Sequence, residues 1–446
     1  MDILIKASQL ILSLSILVIL HELGHFIPAK FFKTRVEKFY LFFDPWFSLV
    51  KKKFKGTEYG IGWLPLGGYV KISGMIDESM DKEQMKKDPE PWEFRAKPAW
   101  QRLIIMLGGV TVNVILAIFI YSMILFTWGD TYLPNENVVD GVTCSDFAKE
   151  IGFNDGDKII SIDGVDVKDF NSLFYSVNED ILMRDDPFVV VVNRSGNDVP
   201  ILVNSGIIGN WVKSTEGKAR RSFLSSKCEL TIDSIFADGA ASSSGLKKDD
   251  VIYSLEDDVV ECMGDLQYFL KGHEKTDVNF SVIRGGDTLT NVLCGVDEKG
   301  KIGVATRDNL VRNTREYNFF TSFYYGFKLT TQKLGGYVSQ VGMIFNSDNG
   351  LAGEVGGFGA IGSMFPSSWN WYAFWSLTAF LSLILAFMNL LPIPALDGGH
   401  VMFLLYEIIA GKPAPEKFME RAQMVGMILL LGLLVFANGN DIYKLF

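Results

Sequence analysis

The stretch SILVILHELGHF, Ser15 to Phe26, decides how this chain is read. An apolar run leads directly into two histidines four residues apart, so on a helix both imidazoles share one face and reach one metal ion. Glu22 is displaced from that line by one residue, where a carboxylate leans toward a metal-bound water rather than the metal, as a general base does. The chain has only four histidines, and His21 and His25 sit in an apolar segment where ionisable groups are costly unless paired, hydrated or metal-bound. The plain structural alternative is a pair of neutral imidazoles hydrogen-bonded to neighbouring helices.

A catalytic zinc takes three protein ligands and keeps a fourth position for water. The source of a third is NLLPIPALDGGH, Asn389 to His400. Pro392 and Pro394 lack N–H donors and break a helix, so freed backbone and the carboxylate that follows line a hydrated cavity. Asp397 and His400 both qualify as the third ligand on chemistry alone. Without the histidine pair, the prolines would read as a simple helix stop at a membrane edge.

The rest of the chain fits a membrane setting. It has 446 residues, 48% of them hydrophobic, with a mean hydropathy of +0.20, above what soluble proteins carry. Residues 3–28, 103–128, 371–391 and 422–438 are each apolar for long enough to cross a bilayer, which takes about 20 helical residues. The first is not read as a cleaved signal, because it lacks a small-x-small site and runs into the histidine motif. Lysine and arginine crowd residues 30–102 while the middle is acidic. The positive-inside rule therefore places 30–102 and 395–420 in the cytoplasm, and both termini and 130–370 outside. A net charge of -10 and a pI near 5.1 speak against nucleic acid as a partner. Cys144, Cys228, Cys262 and Cys294 show no C-x-x-C spacing and so no zinc knuckle; disulfides among them stay open.

The middle region is duplicated. IGFNDGDKIISIDG from Ile151 aligns with SGLKKDDVIYSLED from Ser244, pairing Gly152 with Gly245, Asp157 with Asp250 and Ile159 with Ile252. Each copy runs from a glycine and acidic turn into an alternating strand, a short helix and further strands, FVVVVNRSG and VNFSVIRGG. Two small α/β modules follow, covering 130–222 and 223–306. The pattern resembles PDZ domains, with a departure at Asp249, where that family favours glycine and a different turn is expected. Phe319, Phe320, Phe323 and Phe327, with Lys328 and Lys333, then predict an amphipathic helix on the outer membrane surface within 307–370; packing on the two modules is the alternative. The glycine-rich run Gly353 to Gly362 is too irregular to span.

HELGH in one span, N-x-x-P-x-P-x-L-D-G in a later one and PDZ-like modules between them resemble the site-2 protease family of intramembrane zinc metalloproteases, over essentially the whole chain. The resemblance implies a multi-pass α-helical membrane protein of four spans with two inserted α/β PDZ-like domains. Residues 1–129 and 371–446 would form its two membrane parts, in a bacterial inner membrane, with the modules outside and the active site near the cytoplasmic face. It further implies Zn2+ held by His21, His25 and Asp397, Glu22 as base and Asn389 holding the substrate backbone. Tyr59 to Gly74, YGIGWLPLGGYVKISG, reads as a hairpin whose strand edge receives the substrate, with Gly67, Gly68 and Tyr69 as its contact residues. At Gly356 to Gly359 the chain lacks the proline common in that family. Expected partners are single-span membrane proteins already trimmed by another protease, such as anti-sigma factors, or remnant signal peptides; membrane lipid; and peptide C termini at the modules. The rival from another class is a membrane metal transporter or sensor, which calls for polar residues along several spans.

Overall fold

The computed structural model describes residues 2–65, 67–75, 88–184, 186–214, 222–344 and 356–443. The chain divides into two compact units, one formed by Met1–Gly129, Glu316–Val338 and Gly353–Phe446, the other by Asp130–Arg315 and Ser339–Ala352.

The first unit is built on long helices. Helix α1 is Asp2–Phe31, α2 is Ala99–Trp128, α3 is Phe319–Ile344, α4 is Phe358–Met364, α5 is Trp371–Leu390, α6 is Asp397–Ala410 and α7 is Glu416–Tyr443. Four stretches, Asp2–Phe31, Ala99–Trp128, Trp371–Leu390 and Lys417–Tyr443, are long and apolar enough to cross a membrane, matching the four expected spans. Local signals set their ends. Pro98 precedes α2 and Gly129, at φ +70°, follows it; the Asn370 side chain accepts from Ala373 N–H and caps α5. Buried polar pairs tie the helices together: Thr378 Oγ1 lies 3.0 Å from Ser13 Oγ, and Ser382 Oγ donates to Asn113 O at 2.8 Å. Away from water such pairs join helices where apolar burial gives little preference.

The helix expected on the membrane surface touches other helices at separate points, with Phe320, Tyr324 and Phe327 left exposed. Phe319 of α3 meets Phe126 of α2 edge-on and Phe323 meets Phe119 at a tilt, Gly326 lies against the backbone of Ser122, and Tyr337 packs on Phe380 and Phe387 of α5. An aromatic stripe looks the same in sequence whether it faces lipid or another helix. The glycine-rich run also acquires a structural purpose, although residues 353–355 lie outside the described residues. Asn438 and Asp441 of α7 accept from Phe358 and Ala360 N–H at the start of α4, and a side chain at Gly357 or Gly359 would collide with them.

Between α1 and α2 lies a four-stranded sheet of β1 (Val36–Leu41), β2 (Val50–Phe54), β3 (Thr57–Ile61) and β4 (Tyr69–Ile72), ordered β2-β3-β1-β4. The hairpin expected over 59–74 does not form. The true hairpin is β2–β3, closed by Lys55 and Gly56, both at positive φ, as two-residue hairpin turns require. With one edge of β3 taken by β2 and the other by β1, which runs parallel to it, β4 pairs with the far side of β1. It is left as the edge strand.

The second unit contains the duplicated modules. In the first, β5 (Lys158–Ile162), β6 (Phe188–Arg194) and β7 (Asn197–Val203) form an antiparallel sheet over a core including Phe153, Ile159 and Ile162. In the second, β8 (Leu230–Ile235), β9 (Val251–Leu255), β10 (Asp277–Arg284), β11 (Asp287–Gly295) and β12 (Val304–Asp308) are ordered β11-β10-β9-β8-β12, over Leu246, Ile252 and Leu255 at the matching positions. Phe223 and Leu224 belong to the first core, so the first module reaches a few residues past the boundary read from sequence. All four cysteines are free thiols.

One device is repeated in both copies. Arg194 grips both carboxylate oxygens of Asp157 at 2.7 Å and donates to Gly152 O; Arg284 does the same to Asp250 and Gly245 O. Asp249 does not change the turn as expected. It takes φ +68° where Gly156 has +89°, a conformation aspartate tolerates better than most residues, and its carboxylate is held by Arg307 at 2.8 Å. Burial alone would raise the Asp250 carboxyl, but Arg284, helped by the Lys247 N–H and ammonium charge, outweighs it and holds the group below its ordinary 3.8. A lowered folded-state value stabilises the module above the unfolded value and loses that contribution as pH falls through the folded one. Arg284→Met in the full chain should therefore speed amide exchange in β9 and β10 by about tenfold or more at neutral pH. The difference from the unsubstituted protein should shrink as the pH is taken down to about 3, read by hydrogen-exchange mass spectrometry with β5 and β6 as the internal control.

Candidate metal centre

His21 and His25 stand four residues apart on α1, and Asp397 opens α6. The chain reaches Asp397 through a tight turn: Ile393 N–H bonds Leu391 O at 2.7 Å, Leu396 N–H bonds Ile393 O at 3.0 Å, and Ala395 is held at φ +94°. Such a value strains a residue with a side chain, and strain of this kind gathers at functional sites. The turn brings Asp397 Oδ2 to 3.2 Å from both His21 Nε2 and His25 Nε2, which are themselves 3.3 Å apart. Among the described residues these three form the group able to hold a metal ion. A tetrahedral zinc with bonds of about 2.0–2.1 Å sets its ligand atoms about 3.3–3.4 Å apart. Asp397 Oδ2 is also buried without a hydrogen-bond partner among the described residues, an arrangement a metal resolves. The donor set and its spacing fit zinc. His400, the rival ligand, lines the same cavity but is not part of the triangle.

The imidazoles are oriented from behind by α2. His25 Nδ1 lies 2.8 Å from Ile105 O, so Nδ1 carries the ring proton and Nε2 offers its lone pair. Asn113 Nδ2 lies 3.0 Å from His21 Nδ1, while Asn113 Oδ1 is buried with no partner among the described residues. A half-turn of the amide presents Oδ1 to a protonated Nδ1 and frees His21 Nε2 in the same way; amide oxygen and nitrogen are assigned by such networks. Partners of this kind fix the tautomer of metal-binding histidines. In the sequence Asn113 is a single amide within the second apolar span.

Glycines allow the approach. A Cβ on Gly24, inside HELGH, would lie 2.4 Å from Gly108 O, and one on Gly108 would lie 1.9 Å from Gly24 O. A Cβ on Gly109 would lie 2.4 Å from His25 Nε2 and 2.8 Å from His21 Nε2. The tandem glycine in a span was the available sequence signal.

A cavity of about 440 Å³ adjoins the cluster, lined in part by His21, Glu22, His25, Gly68, Tyr69 and Asp397. Gly68 has its own reason: a Cβ there would meet Val18 and the backbone of Tyr40, with Glu22 just beyond at 3.6 Å. Tyr69 is stacked on Tyr40 and Phe43 and donates to Asp44 at 2.9 Å. Gly67, at φ +153°, leads into β4, and a Cβ there would meet the Phe43 ring at 3.0 Å; it does not line the cavity. Asn389 is half-buried in the last turn of α5 and likewise does not line it.

Residues 9–433 match the family model described as Peptidase family M50. Across its full length the chain is 28% identical to the regulator of sigma E protease of Haemophilus influenzae and 26% identical to a putative zinc metalloprotease of Vibrio cholerae, covering 100% of each. It is 26% identical to the regulator of sigma-E protease RseP of Escherichia coli, over 98% of both chains.

Two substitutions test the centre without reference to activity. Gly109→Ala should abolish stoichiometric zinc, measured by atomic emission on the purified protein, because the methyl group occupies the space between the nitrogens. Asn113→Leu should weaken zinc about 10- to 100-fold in chelator competition; unchanged affinity would remove Asn113 from the centre.

Proposed function

The chain belongs to Peptidase family M50 and is a zinc metalloprotease, and from that premise we propose that it cuts peptide bonds within membrane-spanning segments, using His21, His25 and Asp397 to hold the ion and Glu22 as base. The observation that carries this is the triangle of ligand atoms at 3.2 to 3.3 Å beside a cavity walled by β4, the edge strand of its sheet among the described residues. Zinc bound there supplies Lewis acidity, lowering the pKa of a water to about 7 and polarising the scissile carbonyl. Glu22 takes the proton of the attacking water and hands it to the leaving amine, and no covalent intermediate forms. Ile105 O and Asn113 hold the imidazoles so that neither ring turns its lone pair away.

The free edge of β4 answers the second difficulty. A peptide bond in a helix has its carbonyl hydrogen-bonded and shielded, so the substrate must unwind before it can be cut, and an unpaired strand replaces the lost bonds. Gly68 brings that strand against α1 beside Glu22. Hence the substrate lies extended along Gly68 to Ile72, with its scissile carbonyl toward the histidines. Its class is a single-span membrane protein already shortened by another protease, such as an anti-sigma factor, or a remnant signal peptide. The names of the Haemophilus and Escherichia relatives support the first. The duplicated modules are read as PDZ-like, excluding bulky outer domains or binding newly exposed C termini. Lys30, Lys33 and Arg35, at the end of α1 nearer the histidines, support a site near the cytoplasmic face.

Purified protein and a Glu22→Gln variant, incubated with a membrane-spanning model substrate, test the assignment. The variant should bind zinc at the same stoichiometry and lose cleavage by at least about 100-fold. Cleavage by a zinc-loaded variant at the original rate would refute Glu22 as base.

A further inference from the structure

The loop joining β1 to β2 is sharply strained. Phe42 and Trp46 are held at φ +66° and +73°, a region where a bulky residue is an outlier, and strain of this kind persists only where the surroundings fix it. Here they do. Phe43 and Leu64 exchange backbone hydrogen bonds at 3.2 Å, Trp63 Nε1 donates to Pro45 O at 3.0 Å, and a Cβ on Gly62 would lie 2.1 Å from Phe43 O. The bend carries Phe43 and Asp44 to Tyr69, the first residue of β4.

What the bend delivers is a grip on one side chain. The Tyr69 hydroxyl donates to Asp44 Oδ1 at 2.9 Å, and Ser48 Oγ donates to Asp44 Oδ2 at 2.9 Å. The Tyr69 ring lies nearly parallel to Tyr40 at 5.2 Å and to Phe43 at 6.1 Å. Stacking alone would be satisfied by phenylalanine. The hydroxyl adds a bond to a charged acceptor, roughly twice as strong as one between neutral groups. Among the described residues the hydrogen-bond partners of the Asp44 carboxylate are these two hydroxyls, and no cation pairs with it.

The grip matters because of where Tyr69 stands. Strand β4 has four residues and, among the described residues, one sheet neighbour, β1, with Tyr69 opposite Tyr40. A short strand held along one side opens readily at its end. Gly68, just before it, lies against α1, where a Cβ would meet Val18 at 2.6 Å and Glu22 Cγ at 3.6 Å. Phe43 and Tyr69 line the cavity with Glu22 and the three ligand residues, whereas Asp44 does not. Any influence of Asp44 on the cavity therefore passes through Tyr69.

We propose that Asp44 is a positioning residue for proteolysis, which holds Gly68 and Tyr69 at the head of β4 through the Tyr69 hydroxyl and so fixes the register in which a substrate strand pairs with that edge. The proposal rests on the protease reading and on strand addition at β4. Pairing along a short edge specifies register weakly, and a slip of two residues keeps every side chain on its own face. Such a slip carries a different peptide bond to the histidines. With the head of β4 fixed against α1 on one side and by Asp44 on the other, one register is favoured and one bond is cut.

The test uses the full chain in detergent with zinc and a membrane-spanning model substrate, and identifies the cleaved bonds by mass spectrometry of the products. The unsubstituted protein should cut chiefly one bond. Asp44→Ala and Tyr69→Phe should each move about a third of the cuts to bonds two residues to either side. Asp44→Asn, whose amide oxygen still accepts from the Tyr69 hydroxyl, should keep the single cut. The Asp44→Ala, Tyr69→Phe double variant should scatter no more than either alone, because both changes remove the same bond. A single cut retained in Asp44→Ala, at whatever rate, overturns the proposal, since a merely structural role lowers the rate without moving the cut. So do scatter already present in the unsubstituted protein, scatter in Asp44→Asn equal to that in Asp44→Ala, scatter absent from Tyr69→Phe, and scatter that adds in the double variant. Amide exchange of residues 68–72 is followed on the same proteins without substrate. It should be about tenfold faster in Asp44→Ala and Tyr69→Phe and unchanged in Asp44→Asn. If the unsubstituted protein cuts nothing, the protease reading has failed, and the exchange alone decides whether Asp44 holds β4.

Discussion

The contact on which this structure depends is a backbone crossing of α1 and α2 at Gly24 and Gly108. Pro28 lies four residues after Gly24 in α1 and has no N–H to give its carbonyl. That carbonyl instead faces α2 so closely that even a methyl group on Gly108 would overlap it. Close backbone approach of this kind, through small residues and weak Cα–H contacts, is how apolar helices associate when burial alone does not distinguish partners. The HELGH glycine thus has a structural purpose separate from the two histidines beside it.

Everything at the centre follows from that distance. With the helices in contact, Ile105 O and Asn113 of α2 reach the outer nitrogens of the two imidazoles, and Gly109 leaves their inner nitrogens room to converge. A larger residue at 24, 108 or 109 would separate the rings from their supports or fill the metal position itself. The same packing explains β4. It lies against α1 through a glycine at 68, so the strand edge and Glu22, the proposed base, share one cavity.

Much of this was legible in the sequence, for identifiable reasons. HELGH is a short-range pattern whose geometry is set by the helix alone, and the duplicated modules repeat their aspartate turns at a constant spacing. The choice between Asp397 and His400 was not decidable from ligand chemistry; the turn at Ile393 to Leu396, with Ala395 strained, carries Asp397 into the triangle and leaves His400 on the cavity wall. Partnership between distant elements was the weak point. The glycines of Tyr59 to Gly74 suggested a hairpin, but could not say that β1 would lie between its two strands. Likewise the aromatic stripe of α3 marked a helix with one apolar side, while its partners, Phe119 and Phe126, lie far away in the chain. Asn113 escaped for the same reason, since a single amide in a span becomes meaningful only once its neighbour is known.

Helix α2 contributes none of the three proposed ligands, yet it places all of them. It meets α1 at the glycine crossing, and just before it, in the same N-terminal third, it meets α6, where Ile105 and Met106 share a core with Val401 and Leu404 and Arg102 pairs with Glu407. The two ligand-bearing helices come from opposite ends of the sequence, so their alignment cannot be left to local structure. A metal could in principle pull them together, but it would then spend binding energy on ordering the chain. A shared template avoids that cost by fixing the ligand atoms before the ion arrives, which is the condition for a centre that must also keep one position open for water. The burial of apolar surface along α2 is therefore as much a part of the metal centre as the imidazoles, and a change in that helix far from the ion acts on the chemistry through the spacing of the triangle.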